Sequence, residues 1–344
     1  MTGGLPPSSS QRRGPLEAFF QQAASTGFAL FILPGGPVVF WTLFLWLASS
    51  RCLALRALVL AYGVWMWFFD TARLSGERSS RSVRGWRVWR LLAAYFPASL
   101  HATAPLPPGA KYVLGYHPHG VVSLGAFVGV GTNGVGLDDA FPGLDFHLCT
   151  LAVNFKMPFI RELILRLGII PASKACIRRA LARNGGAVCI AVGGAKEALL
   201  STPGAPYELY LGRRKGFVRE ALLAEASLVP TFAFGELDVF RAPARGSRAR
   251  RWLLTFQNWG LGWYGYSLPV FCGNLPFTNV GFGLQPISEA VHIVTGAPIP
   301  HDGVAGPVTD ARVDAMHTRY VAALRALFDA HKGAYAPGRE LLIK

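Results

Sequence analysis

The chain has 344 residues, with 34 Lys or Arg against 19 Asp or Glu, so its formal net charge is +15. Only 15% of the residues are charged, 51% are hydrophobic, and the mean hydropathy is +0.33. This composition disfavours a disordered basic tail and an ordinary cytosolic enzyme, and it favours a membrane enzyme that meets an anionic surface or substrate.

The N-terminal residues 1–26 are rich in Pro, Ser and Gln, and no apolar signal sequence opens the chain. We therefore predict a polar N-terminal tail over this range. The five cysteines are widely spaced and none forms a CxxC pair, so a disulfide-rich secreted fold, a zinc knuckle and a thioredoxin-like motif are all disfavoured.

An uncharged segment follows from Gly27 to Ala48, and it reaches the roughly 20 residues that cross a hydrocarbon core. Pro34-Gly35-Gly36-Pro37 interrupts it, and a second apolar run covers Leu53–Phe69 after a very short connection. These features predict a transmembrane or re-entrant helical hairpin over residues 27–69. The arginines that follow the second run place both chain termini on the cytoplasmic side.

Residues 70–108 are predicted to form a basic interfacial segment and linker. Within it, Arg81–Arg90 spaces arginines by three and interleaves Trp86 and Trp89, a pattern typical of a helix that lies on an anionic leaflet. A soluble helix with a solvated basic face is the alternative. The basic loop 241–251 lacks interleaved aromatic residues and a recognition fold, so we expect no nucleic-acid partner.

Alternating apolar strands and helices fill residues 109–344, which we predict to be one catalytic domain. They indicate an α/β layered domain with a largely parallel sheet. The predicted strands are 111–116, 147–153, 168–171, 187–192 and 228–234. The predicted helices are 121–130, 158–167, 174–183, 217–226 and 310–331.

Two histidines separated by a proline follow the first of these strands, in the sequence Tyr116-His117-Pro118-His119-Gly120. Ligands of open α/β sheets gather at the carboxyl ends of strands, and a neutral imidazole can take a proton from a hydroxyl near pH 7. A structural histidine pair and a zinc site are the alternatives, although no third ligand stands at a supporting spacing. A Ser-His-Asp hydrolase is disfavoured because the sequence has no G-x-S-x-G motif.

Two further groups could contribute to the same site. Gly193 and Gly194 permit a tight turn after the strand 187–192, and Glu197 beyond them could orient an imidazole or cap a helix. The basic run Arg213–Phe217 suits a phosphate-rich ligand such as the nucleotide of coenzyme A, with a solvated loop as the alternative.

Eight short pieces of the sequence form a recognisable series: Tyr95-Phe96-Pro97, Tyr116–Gly120, Asn154-Phe155-Lys156, Pro158–Glu162, Gly193–Glu197, Arg214–Phe217, Phe234-Gly235-Glu236 and His331-Lys332. In this order they resemble the type-2 diacylglycerol acyltransferase family, which includes monoacylglycerol and wax-alcohol acyltransferases. The resemblance implies a glycerolipid-acyltransferase-like fold and transfer of a fatty acyl group from acyl-CoA to diacylglycerol. A monoacylglycerol or a long-chain alcohol is the alternative acceptor, and an inactive membrane or lipid-droplet scaffold is the non-enzyme alternative.

The resemblance also implies roles for individual residues. His119 is the expected general base and His117 its support. Related glycerolipid acyltransferases use His-x4-Asp, but position 124 here is Leu, so Glu197 is our hypothesis for the residue that orients the base. The residues expected to bind substrate are Tyr116, Gly120, Gly193, Gly194, Arg214, Lys215, Gly216 and Phe217.

The family resemblance further implies an endoplasmic-reticulum membrane enzyme, with lipid droplets as a second location. Acyl-CoA is the co-substrate, and neither a metal nor another cofactor is implied. The expected partners are acyl-CoA, a lipid alcohol and an anionic membrane surface. The oligomeric state is left open.

Overall fold

The computed structural model describes most of the chain, and the predicted helix break at Pro34 and part of the predicted basic loop 241–251 lie outside the described residues. The described residues are 14–32, 35–74, 76–199, 201–243, 246–248, 251–252, 254–255, 272–278, 280–281 and 283–344.

Three helices open the described chain: α1 (Pro15–Ile32), α2 (Gly35–Ala48) and α3 (Leu53–Val64), the last continuing as a π-helical turn, Trp65–Phe69. Helices α2 and α3 pack against each other, and the first predicted apolar run, 27–48, is divided between the end of α1 and α2. Among the described helices, none is both long enough and apolar enough to cross a membrane.

Helix α1 begins inside the segment that was predicted to be a polar tail. It packs against α5 (Arg87–Tyr95) and buries Ala24, Phe28 and Ala29, with the Phe28 ring 5.3 Å from that of Phe127. Residues 15–26 are therefore part of a helix docked on the globular part, and its buried face combines these apolar residues with Gln21 and Ser25.

The interfacial helix predicted over 81–90 is instead two helices, α4 (Arg81–Arg84) and α5, separated by Gly85 and Trp86. The Arg84 side chain is buried and donates to the carbonyl oxygens of Val130 (3.0 Å) and Leu167 (2.8 Å). The arginine spacing was thus misleading at this position, because Arg84 binds main-chain carbonyls inside the protein.

The strands among the described residues are β1 (Ser99–Ala102), β2 (Tyr112–His117), β3 (Asp145–Thr150), β4 (Ile170–Pro171), β5 (Gly186–Ala191), β6 (Tyr207–Leu209), β7 (Ser227–Phe234), β8 (His292–Thr295) and β9 (Leu341–Ile343). Seven of them form the main sheet, in the order β1-β8-β7-β2-β5-β3-β4, and β6 and β9 pair separately. Strands β7, β2, β5, β3 and β4 are parallel, whereas β8 is antiparallel to β7 and pairs in parallel with the edge strand β1, so an α/β domain with a largely parallel sheet is confirmed. Strand β1 belongs to the segment that was predicted to be a linker.

Helices cover both faces of this sheet. The central strand β2 is buried along its whole length, as expected for a parallel strand with helices on both sides. One face packs against α9, α11 and α12, and the other against α1, α5 and the π-helical turn after α6. The remaining helical elements are Ala72–Leu74 (3-10), α6 (Leu124–Ala126), Phe127–Gly131 (π), α7 (Leu137–Ala140), Ala152–Lys156 (3-10), α8 (Ile160–Arg166), α9 (Lys174–Leu181), α10 (Ala195–Ala198), α11 (Gly216–Leu223) and α12 (Asp310–Tyr335).

A buried ion pair joins the N-terminal helices to the globular part. Arg161 on α8 is fully buried, and its guanidinium lies 2.6 Å from the carboxylate of Asp70, which directly follows the π-helical turn. Arg78 bonds the same carboxylate at 3.0 Å. The Tyr62 ring stacks on Phe159 with centroids 5.6 Å apart, so aromatic packing reinforces the joint.

Candidate active site

The predicted site motifs lie at one edge of the sheet. The His-Pro-His-Gly segment follows β2, the Gly193-Gly194 turn follows β5, and Gly235-Glu236 follows β7. These three strands are parallel neighbours, with Tyr116 aligned to Ala191 on β5 and to Thr231 on β7. Their carboxyl ends therefore meet, which is where ligands bind in sheets of this class.

His119 is half-buried and has one ring nitrogen available at this edge. Its Nδ1 lies 3.0 Å from the carbonyl oxygen of Gly120, and because a carbonyl only accepts, Nδ1 carries the proton and Nε2 the lone pair. Burial lowers the pKa of the imidazole, an effect that the bond to Gly120 opposes. The ring is thus held as a neutral imidazole whose Nε2 can accept a proton.

His117 points to the other side of the motif and is fully buried. The Tyr320 hydroxyl donates to the Gly115 carbonyl at 2.9 Å, so the His117 Nε2, 3.0 Å away, must be the donor to the tyrosine oxygen. Burial lowers the pKa of His117 to about 3. It is therefore a neutral core histidine that fixes the end of β2 to α12.

Glu197 binds the main chain of the motif. One carboxylate oxygen accepts from the His119 N–H at 2.6 Å and the other from the Tyr210 N–H at 2.9 Å. Its side chain is buried, and burial raises its pKa to about 7. Our hypothesis placed Glu197 against the imidazole; the carboxylate instead positions the backbone, and the Gly120 carbonyl orients the ring.

Glu236 is a second buried carboxylate at the motif, to which we had assigned no role. It accepts from the Tyr116 hydroxyl at 2.6 Å and from the main-chain N–H groups of Leu124 (2.7 Å) and Gly125 (2.8 Å). Burial raises its pKa to about 7. The available signal was an acidic residue directly after a buried strand, at the carboxyl end where the other motifs lie.

The Tyr116 side chain lies inside the protein, beneath the motif. Its side chain is fully buried in the core and its hydroxyl is used by Glu236. Substrate binding by Tyr116 stays a prediction, and in the structure its hydroxyl supports the motif through Glu236.

Glycines let the two carboxylates approach the motif closely. Gly120 has φ +59°, and a Cβ there would lie 2.7 Å from the Cγ of Glu236. A Cβ on Gly193 would lie 2.6 Å from the Cβ of Glu197. Gly194 has φ +65° and open space around it, so it is needed for the turn and leaves room beside the site.

The basic run before α11 is only partly at the site. Arg214 is exposed and its guanidinium approaches the Gly193 carbonyl at 3.5 Å, which brings it beside the glycine turn. Lys215 instead pairs with Asp314 on α12 at 2.7 Å. Phe217 is buried with its ring 5.0 Å from that of Tyr320, so it packs in the core, and its contact with substrate stays a prediction.

The remaining residue of this run, Gly216, is exposed at the first position of α11, and nothing would crowd a Cβ there. Among the residues that the structure describes, no group of three or more His, Cys, Asp or Glu is placed to hold a metal ion.

Comparisons with known proteins agree with this arrangement of motifs. A family model described as "Diacylglycerol acyltransferase" matches residues 49–344. Diacylglycerol O-acyltransferase 2 of Dictyostelium discoideum is 39% identical over 282 residues, which are 81% of this chain and 83% of that protein. 2-Acylglycerol O-acyltransferase 1 of Bos taurus is 35% identical over 318 residues, which are 89% of this chain and 93% of that protein.

Proposed function

The chain belongs to the diacylglycerol acyltransferase family, and we propose that it transfers a fatty acyl group from acyl-CoA to the free hydroxyl of diacylglycerol, which yields triacylglycerol and CoA. The observation that carries this proposal is the neutral His119 imidazole at the carboxyl edge of the sheet, whose Nδ1 is bound to the Gly120 carbonyl and whose Nε2 has no hydrogen-bond partner among the described residues.

His119 acts as the general base in this mechanism. Its Nε2 takes the hydroxyl proton of the acceptor while the oxygen attacks the thioester carbonyl carbon. The tetrahedral intermediate then expels CoA thiolate, which receives the proton back from the imidazolium. Because burial lowers the pKa of His119, the imidazole is neutral and ready at pH 7.

Main-chain N–H groups are the candidates for stabilising the oxyanion. Glu236 already binds those of Leu124 and Gly125. The N–H groups of Gly120 and Val121, within the part of the chain that the structure describes, donate to no protein acceptor. These two N–H groups lie directly after His119 in the chain. This position suits stabilisation of the oxyanion that forms when the acceptor oxygen, deprotonated by His119, attacks the thioester carbonyl carbon.

Arg214 is the group we assign to the phosphates of CoA. It is exposed beside the Gly193 carbonyl, and a guanidinium can bind phosphate oxygens in pairs. Lys215 is the second cation that we assign to the phosphates. Its exposed ion pair with Asp314 is worth only about 0–1 kcal/mol, so a phosphate could replace Asp314 as its partner.

We place the protein at the endoplasmic-reticulum membrane and on lipid droplets, with both chain termini in the cytoplasm. Support comes from the α2–α3 pair, where several large apolar side chains are exposed on two helices that pack together. A soluble protein normally exposes apolar residues singly, so a group of them favours contact with a membrane. These exposed side chains include Val38, Leu45, Trp46, Leu58, Phe68 and Phe69.

An assay of membranes that contain the full chain tests the function. Labelled oleoyl-CoA is supplied with diacylglycerol, monoacylglycerol or a long-chain alcohol, and the labelled lipids are separated. We expect triacylglycerol, lost in His119→Ala and kept in His301→Ala, a control histidine in the loop after β8. The extensive match to the bovine 2-acylglycerol acyltransferase favours monoacylglycerol as the second acceptor. Wax ester alone would reassign the acceptor, and no product with any acceptor would refute the enzyme.

A further inference from the structure

Apolar side chains are exposed next to the active-site edge, on the 3-10 helix Ala152–Lys156 that follows β3. Leu151 is 50% exposed and Val153 48%, and Lys156 is exposed as well. A 3-10 helix has three residues per turn, so Val153 and Lys156 lie on the same face. Leu151, directly before this helix, adds a second exposed apolar side chain to the same short segment.

This surface continues onto the end of the α2–α3 pair. The Lys156 ammonium lies 5.8 Å from the centre of the Trp67 ring, and Trp67 and Phe68 are 49% and 79% exposed. We call Trp67, Phe68, Leu151, Val153 and Lys156 the edge patch. It unites the π-helical turn with the segment after β3, although the two are more than 80 residues apart in the sequence.

The composition of the edge patch matches the headgroup region of a bilayer. Tryptophan prefers that depth, and lysine can bury its methylene groups while its ammonium reaches lipid phosphates. The net charge of +15 and the exposed apolar residues of α2 and α3 favour a lipid surface over a protein partner. We propose that the edge patch lies in the headgroup region of the membrane and turns the carboxyl edge of the sheet toward the bilayer.

The consequence for the reaction is a short path for the acceptor. Strands β3, β5 and β2 are consecutive in the sheet, so the carboxyl end of β2, which leads to His119, lies about 10 Å sideways from that of β3 at ordinary strand spacing. A diacylglycerol could enter from the membrane without crossing water. This inference rests on the lipid acceptor of the proposed function.

A kinetic comparison of two acceptors tests the edge patch in the full-length protein. The Leu151→Ser/Val153→Ser variant is reconstituted in vesicles of phosphatidylcholine and phosphatidylserine. We expect the KM for vesicle-borne dioleoylglycerol to rise about tenfold, because apolar area is lost from the membrane contact. The kcat/KM for water-soluble dihexanoylglycerol should stay unchanged. Val304→Ser, at a side chain 56% exposed in another loop, is the matched control.

Photolabelling gives a second readout that does not depend on activity. Phosphatidylcholine with a diazirine near the ester end of its acyl chain should label the peptide that contains residues 151–156 as well as peptides of the α2–α3 pair. Labelled helices with an unlabelled 151–156 peptide would overturn the proposal, as would equal or absent effects of the variant on both acceptors. If the wild type uses neither acceptor, the proposed function fails, and the labelling still decides whether the edge patch meets lipid.

Discussion

Glu197 accepts a hydrogen bond from the main-chain N–H of His119 at 2.6 Å, which ties the segment after β2 to the turn after β5. On the other side, Glu236 holds the N–H groups of Leu124 and Gly125. The position of the base therefore depends on two buried carboxylates, each of which contacts the backbone of the motif segment and is separate from the imidazole's own bond to Gly120.

Replacing Glu197 by Gln should lower kcat about tenfold to a hundredfold with a small change in KM for acyl-CoA. A glutamine offers one oxygen to the N–H groups of His119 and Tyr210, so one buried donor is left unsatisfied, at about 1–3 kcal/mol. The measurement is steady-state transfer of labelled oleoyl groups. Exposed Glu225→Gln is the control, and full turnover by Glu197→Gln would refute this positioning role.

The pH dependence of kcat/KM should show an acid limb below the ordinary histidine pKa of 6.5. Burial lowers the pKa of His119, so protonation of the base, and the loss of activity, begins at lower pH than for an exposed histidine. Glu197 and Glu236, each with a pKa of about 7, are competing sources of a limb. The limb should therefore persist in the residual activity of Glu197→Gln and of Glu236→Gln, and its disappearance in either variant would assign it to that carboxylate.

Two glycine-to-alanine variants separate backbone strain from crowding. Gly120 and Gly303 have similar φ values, +59° and +66°, but a Cβ on Gly303 meets nothing within 4 Å, whereas one on Gly120 meets Glu236. Gly303→Ala should cost about 1 kcal/mol of unfolding free energy and keep activity. Gly120→Ala should cost about 2 to 4 kcal/mol and lose most activity. Equal effects of the two variants in thermal unfolding and turnover would contradict the carboxylate contact.

Arg84→Lys should destabilise the protein by about 2–3 kcal/mol, although it keeps the charge. A lysine cannot supply the branched set of donors that reaches the carbonyls of Val130 and Leu167. Arg81→Lys, at an exposed position on the same short helix, should change stability by less than about 0.5 kcal/mol. Thermal unfolding in detergent measures the stability of both variants. Equal stability of Arg84→Lys and Arg81→Lys would contradict the buried role of Arg84 and favour the surface position that the arginine spacing predicted.

The strands that carry the site could be predicted because each is a buried apolar run that ends at glycine or histidine. Strands β2, β5 and β7 all appear close to their predicted bounds. Strands β1 and β8 were missed because Ser99, His101 and His292 interrupt their apolar pattern, and because the edge strand β1 is held by pairing with β8, almost 200 positions away in the sequence. Local sequence carries no signal for such a pairing.

The site residues divide in the same way. His119, Glu197 and the glycines stand in short motifs whose chemistry is visible in the sequence. The hydrogen bond from Tyr116 to Glu236 joins residues 120 positions apart in the sequence. Whether Glu197 binds the main chain of His119 or its imidazole depends on how the turn after β5 folds. Such partners follow from the order of strands in the sheet, which no single motif specifies.

The buried pair of Arg161 and Asp70 has a practical consequence for making a water-soluble enzyme. A fragment that starts after Asp70 would leave the buried Arg161 with the carboxylate of Glu162, 2.8 Å away, as its remaining partner of the two. Deleting the apolar helices to gain solubility would thus remove the more deeply buried of its two counter-charges, and removing a partner from a buried pair is destabilising. A fragment that retains Asp70 together with Arg78 is the better starting point.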